Sequence, residues 1–154
     1  MNYKLYNRKN IDNTYLNDMH NILVENYNKI NNKDNSSNET YNEWVNMIRT
    51  TKDYNILICL DNNLLVGFVC YTYLDIGLML SKIQIKKEYQ GKHNILKNML
   101  RNILVNTNNT YFKVYATINN DNTKSKEVFT HIGFKNIKGI LYEIDKTNLM
   151  KWTN

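Results

Sequence analysis

Apolar positions along the 154-residue chain follow two rhythms, near-alternate and helical, and the places where one gives way to the other predict its elements. The sharpest change lies between Leu78 and Leu104. Leu78, Leu80, Ile83 and Ile85 recur at near-alternate positions with a shift around Ser81 and Lys82, which is the pattern of a strand carrying one irregularity. Ile95, Leu96, Met99, Leu100, Ile103 and Leu104 then recur at helical spacing and make one apolar stripe. Lys86 to Asn94, between them, is polar and holds a single glycine, Gly91. The stretch reads as strand, glycine-bearing turn and helix.

The same reading extends to the rest of the chain. Met1 to Tyr6 fits a short edge strand, and Ile11, Tyr15, Met19, Ile22, Leu23, Tyr27 and Ile30 share one face of a predicted helix. Asn31 to Asn38 is a polar break. Glu39 to Thr51 predicts a short second helix with Trp44, Val45, Met47 and Ile48 on its apolar side. Strands are predicted over Tyr54 to Leu60, Leu64 to Tyr73 and Gly77 to Lys86. The first two are joined through Asp61-Asn62-Asn63, side chains that tolerate the left-handed backbone of a hairpin turn, and the third through Leu74 to Gly77.

After the striped helix, ending near Asn106, Thr107 to Thr110 is a turn and Tyr111 to Ile118 a strand rich in β-branched and aromatic residues. Thr123 to His131 predicts a helix capped by Gly133. Ile137 to Asp145 predicts a last strand, which Leu149 to Trp152 extends or follows. Strands and helices that mix without strict alternation imply an α/β fold of the mixed α+β kind, a central mixed sheet with helices on both faces. The length and the lack of a linker predict one domain over residues 1–154.

Composition qualifies this picture more than it adds to it. One alanine (Ala116), no proline and an excess of Asn, Lys, Ile and Tyr favour codons rich in A and T, so neither the Asn-rich break nor the net charge of +6 is by itself functional. Distribution says more. Residues 1–80 carry 7 Lys and Arg against 9 Asp and Glu, a net of −2, whereas residues 81–154 carry 13 against 5, a net of +8. The basic half is the half that holds the glycine-bearing turn, which suits a polyanionic ligand there. A nucleic-acid partner is not expected, because no base-stacking platform accompanies the charge.

Cys59 and Cys70 lie in apolar strand-like runs, where small buried hydrophobes are the default. No apolar leader or bilayer-length run is visible, so no membrane partner is expected and the cytoplasm, with reduced thiols, is the expected compartment. No spacing of His, Cys and acidic residues suggests a metal.

A turn that hands its amides to a helix start is a ready anion site, because the first N–H groups of the helix have no internal acceptor and its dipole is positive there. Two motifs now align with a known family. Ile83-Gln84-Ile85 followed by Tyr89-Gln90-Gly91-Lys92 resembles the cofactor-binding segment of the GCN5-related N-acetyltransferases (GNAT). Asn122-x-x-Ser125-x-x-x-Phe129-x-x-x-Gly133-Phe134 resembles their second signature, and Val114 to Ile118 suits the strand that enters it.

The resemblance implies acetyl-CoA as co-substrate and a primary amine of a small molecule or peptide as acceptor, with a homodimer as one assembly left open. It implies a mostly antiparallel sheet with a V-shaped gap between the strand of Ile83 to Ile85 and the strand of Tyr111 to Ile118. Main-chain groups of Ile83 and Ile85, flanking Gln84, would pair with the pantetheine arm as an added strand does. Amides of the turn from Gln90 through Gly91, Lys92, His93 and Asn94 to Ile95 would hold the diphosphate, with Asn122, Ser125 and Phe129 on the far side.

This chain departs from the family in three places. The later small positions of the turn are filled by His93 and Ile95, or by Asn94 if one residue is inserted, in which case Asn94 supplies the left-handed backbone that glycine usually gives. The tyrosine that serves as general acid is replaced by Phe129, and Met79 and Ser81 stand where a carboxylate is often found. Tyr115 is a stand-in candidate for the acid, and Asp75 or Glu43 for the base. The alternative is a catalytically degraded member that binds acyl-CoA or a partner without turnover.

Overall fold

The computed structural model describes residues 1–30, 40–107 and 111–154, and of residues 28–30 the backbone alone. The polar break expected over Asn31 to Asn38, the expected helix start at Glu39, the Ile30 side chain and most of the turn expected over Thr107 to Thr110 lie outside the described residues. In chain order the elements are β1 (Asn2–Asn7), α1 (Asn13–Ile30), α2 (Tyr41–Thr50), β2 (Tyr54–Asp61), β3 (Leu64–Leu74), β4 (Gly77–Ile85), a 3-10 turn (Lys87–Tyr89), α3 (Ile95–Asn106), β5 (Lys113–Thr117), α4 (Thr123–Ile132), β6 (Lys135–Lys138), β7 (Leu141–Asp145) and α5 (Lys146–Thr153).

The strands form one seven-stranded sheet in the order β1-β2-β3-β4-β5-β7-β6, antiparallel throughout except for β4 against β5. Asn62 and Asn63 both take positive φ, 48° and 69°, and close the expected hairpin between β2 and β3 as a two-residue turn, Asp61 being the last residue of β2 and paired with Leu64. The irregularity expected in β4 is a bulge: Cys70 faces Lys82 and Tyr71 faces Leu80, which leaves Ser81 without an opposite number.

Both faces of the sheet are covered, because its strands alternate apolar side chains to two separate cores. On one side Leu16, Met19 and Leu23 of α1 and Trp44 and Ile48 of α2 pack on Ile56, Ile58, Phe68 and Cys70. On the other, Ile95, Met99, Leu100 and Ile103 of α3, Phe129 of α4 and Leu149 of α5 pack on Leu57, Val69, Leu78 and Val114. α2 begins with a reciprocal cap: Thr40 Oγ1 accepts from Glu43 N and Glu43 Oε2 accepts from Thr40 N.

The end of the chain differs from the sequence reading. Ile137 to Asp145 is not one strand but the hairpin β6–β7, reversed at Gly139 (φ 55°) and pinned by Asn136 Nδ2 donating to the Gly139 and Leu141 carbonyls. β7 then leads directly into the helix α5, with Leu149 and Thr153 buried.

Candidate functional site

The site is built where β4 and β5 part. They pair at only three positions, Leu78 with Val114, Met79 with Tyr115 and Leu80 with Ala116, and beyond these β4 runs on beside β3 alone. Lys86 N donates to Val66 O across that β3 ladder at 2.8 Å. Antiparallel residues alternate between bonding their partner and facing away, so Ile83 and Ile85 direct their main-chain groups into the gap. The Ile85 carbonyl is already taken: Asn26 Nδ2 and Gln90 Nε2 donate to it at 3.0 and 2.9 Å. What the strand offers is therefore the Ile83 amide and carbonyl and the Ile85 amide.

The gap opens onto the turn before α3. Gly91 (φ 71°), His93 (φ 57°) and Asn94 (φ 53°) all lie in the left-handed region, and a Cβ on Gly91 would meet nothing within 4 Å. Asn94 is the α3 N-cap, but its side chain makes no cap hydrogen bond, so the helix's first donors receive nothing from it. The turn is tethered by Tyr89, whose hydroxyl donates to Asp61 Oδ2 at 2.9 Å; that carboxylate raises the tyrosine's pKa. The His93 ring lies 6.5 Å from the Tyr89 ring, centroid to centroid, and His93 is not among the residues lining the gap. Ile95 packs into the core below the turn and shows the gap only its edge.

Together these walls enclose a cavity of about 680 Å³. Ile83, Gln84, Ile85, Gln90, Gly91, Lys92, Asn94, Ile95, Asn122, Ser125 and Phe129, all named from the sequence, line it. Lys87, Lys92, Lys97 and Lys124 stand around it with no carboxylate among the lining residues. Lys124 Nζ donates to Gln90 Oε1 at 3.0 Å and so links α4 to the turn across the mouth. On the α4 wall, Asn122 Oδ1 accepts from Ser125 N at 3.1 Å, which caps the helix and fixes both residues at the gap. Ile83, Gln84, Asn122, Ser125 and Phe129 also line a second cavity of about 260 Å³, which adjoins the first beside the β4 bulge.

No family model matches the chain, and no curated protein matches it by sequence. Solved structures do. The PaiA N-acetyltransferase of Thermoplasma acidophilum, crystallised with coenzyme A, superposes with a TM-score of 0.73 at 15% identity over 94% of this chain and 99% of that one. A GNAT-family acetyltransferase of Staphylococcus aureus Mu50 gives 0.74 at 14% identity over 94% and 99%. Tetrahymena GCN5 gives 0.68 at 11% identity over 94% and 96%. The fold is that of the GNAT acetyltransferases.

Within this GNAT fold the three sequence candidates for acid and base fall away from the gap. Tyr115 pairs with Met79 and Glu143 and lines neither cavity. Asp75 sits in the β3–β4 turn, beside the end of β4 that is paired to β5, and Glu43 is occupied by the α2 cap. Phe129, already noted from the sequence as unable to donate a proton, packs edge-on against Phe134 at 5.1 Å between centroids. The thiols are no substitute as nucleophiles: burial pushes Cys70 up to about 12 and raises Cys59 as well.

Sequence reasoning missed Asn26 and Trp152 in the larger wall and Tyr27, Lys82, Thr117 and Asn119 in the smaller. Asn26 bridges to Gln84 Oε1 at 2.9 Å as well as to Ile85, a pairing across 58 positions that no local pattern carries. Trp152 arrives on α5, and the apolar periodicity around Leu149 was its only trace.

Proposed function

We propose that the chain transfers an acetyl group from acetyl-CoA to a primary amine of a small molecule or peptide, by direct attack of the amine on the thioester. The observation that carries this is the splayed β4–β5 gap, continuous with an uncapped helix start and ringed by four lysines and no carboxylate. The fit is specific to an elongated ligand with an apolar, amide-bearing arm and a polyanionic end. An extended arm would find strand-like partners in Ile83 and the Ile85 amide, while the donors at Leu96 and Lys97, in the first turn of α3, face the anionic end with the lysine ammoniums. Bound acetyl-CoA would supply an activated acyl carbon.

The chain's own contribution is then chiefly positional. Two cavities that meet at Phe129 and Ser125 hold donor and acceptor in line, and effective molarities gained in that way account for most of the acceleration such a site needs. The buried cysteines favour direct transfer over an acyl-enzyme route. We place the reaction in the cytoplasm, where both free thiols stay reduced.

A second reading, acyl-CoA binding without turnover, is favoured by Phe129 and by the lack of a carboxylate among the residues lining either cavity. Thermal unfolding with acetyl-CoA near 100 times its dissociation constant should add about 2.7 kcal/mol of stability under either reading. No shift at millimolar acetyl-CoA removes both. Amine-dependent release of free thiol then separates the enzyme from the binder.

A further inference from the structure

The smaller cavity differs chemically from its neighbour. At about 260 Å³ it falls below the ~300–1,000 Å³ of drug-sized sites, so it suits an occupant of roughly amino-acid size. Its lining residues are largely polar, among them Tyr27, Thr117, Asn119 and Lys82, with Ser81 committed to the Cys70 carbonyl. Lys82 is the one charged residue lining it, and among the described residues no carboxylate stands within ion-pair distance of Lys82. Its Nζ instead lies 5.8 Å from the centre of the Tyr27 ring, a contact that holds the ammonium without neutralising it.

A half-buried cation with no counter-ion among the described residues is completed by a ligand's anion through a charge-assisted hydrogen bond. A diamine would instead bring a second positive charge against it and meet no acidic side chain in the wall. We propose that this cavity receives the acceptor, and that the acceptor is a small primary amine carrying an anionic group, carboxylate or phosphate, held by Lys82. This rests on the acetyl-transfer reading above. In the transfer, the lone pair of the amine nitrogen forms the new C–N bond, the C–S bond breaks with its electron pair passing to sulfur, and the nitrogen's surplus proton leaves to solvent or to the departing thiolate, which becomes the free thiol. The anionic group and the Lys82 charge are unchanged throughout.

The test is steady-state thiol release by the full chain with saturating acetyl-CoA and five acceptors: propylamine, β-alanine, ethanolamine, phosphoethanolamine and putrescine. Affinity for CoA is measured alongside by calorimetry. β-Alanine or phosphoethanolamine should exceed its neutral counterpart and putrescine by about 10-fold or more in kcat/KM, and which of the two does so identifies the anion. Lys82→Met should raise the KM of that acceptor by about 10- to 100-fold with CoA affinity unchanged, and Lys82→Arg should restore most of it. Equal or better turnover of the neutral amines or putrescine overturns the proposal, as does an unchanged KM in the Lys82→Met variant. CoA binding with no thiol release from any acceptor overturns it and leaves the binding reading standing. Failure of CoA to bind removes both.

Discussion

Asn94 holds a left-handed backbone at the start of α3 without being glycine, and asparagine is the side chain that tolerates this at least cost. Asn94→Gly is expected to keep or raise the stability of the protein. Asn94→Val should lower it by about 1–2 kcal/mol in urea unfolding, and equal midpoints for the two variants would show that the turn carries no such demand. Phe129 poses a chemical question of the same size. Phe129→Tyr places a hydroxyl in the wall shared by both cavities and is expected to raise amine-dependent thiol release by roughly 10²-fold. An unchanged rate with intact CoA affinity would mean that protonation of the leaving sulfur does not limit turnover.

These residues also mark how far the primary structure could be read. Gly91, Asn94, Asn122 and Ser125 announced themselves because each is fixed by its immediate neighbours, as turn, N-cap or first helical turn. Asn26 and Lys82 gave no sign, since what they face is decided by how α1 settles on β4.

Among the elements, β4 carries the decisive geometry. Its rhythm of Leu78, Leu80, Ile83 and Ile85 disclosed both the strand and the bulge, because a shift of one residue in the alternation has a direct counterpart in register. The β6–β7 hairpin was obscured for the opposite reason. Residues of high strand propensity run on through Ile137 to Asp145, and Gly139 alone signals the reversal. α5, barely two turns long, is too short for helical periodicity to stand out. Gly77, at the head of β4, packs so closely on β5 that a Cβ would run into the Lys113 carbonyl oxygen, and its φ of 150° disfavours any side chain. Gly77→Ala is therefore expected to cost about 1–3 kcal/mol by denaturant unfolding, as overpacking does. A loss smaller than a few tenths would show that the two strands can separate freely at that end.

For the molecule as a whole, the buried phenols and thiols set the alkaline limit. Burial pushes Tyr3 and Cys70 up to about 12 and raises Tyr71 and Tyr111 as well. The Tyr3 hydroxyl is buried without a hydrogen-bond partner of good geometry, and the Asn98 side chain beside it offsets only part of its loss of water. In the unfolded chain these groups release their protons near 9.0 for cysteine and 10.0 for tyrosine, while the folded chain retains them. The unfolded state thus binds fewer protons above those values, and stability should fall steadily between pH 9.0 and about 12. A urea midpoint that stays level across that window would place these side chains in water.

Among the described residues, three rungs of parallel pairing make the strand-to-strand seam between the β1–β4 blade and the β5–β7–β6 blade. A molecule wedged in the cleft above that seam would act as its keystone, since it touches β4 on one flank and α4 on the other. Amide hydrogen exchange in β5 and β7 should then slow more on CoA binding than exchange in β2 and β3, which are stitched along their full lengths whether or not the cleft is filled.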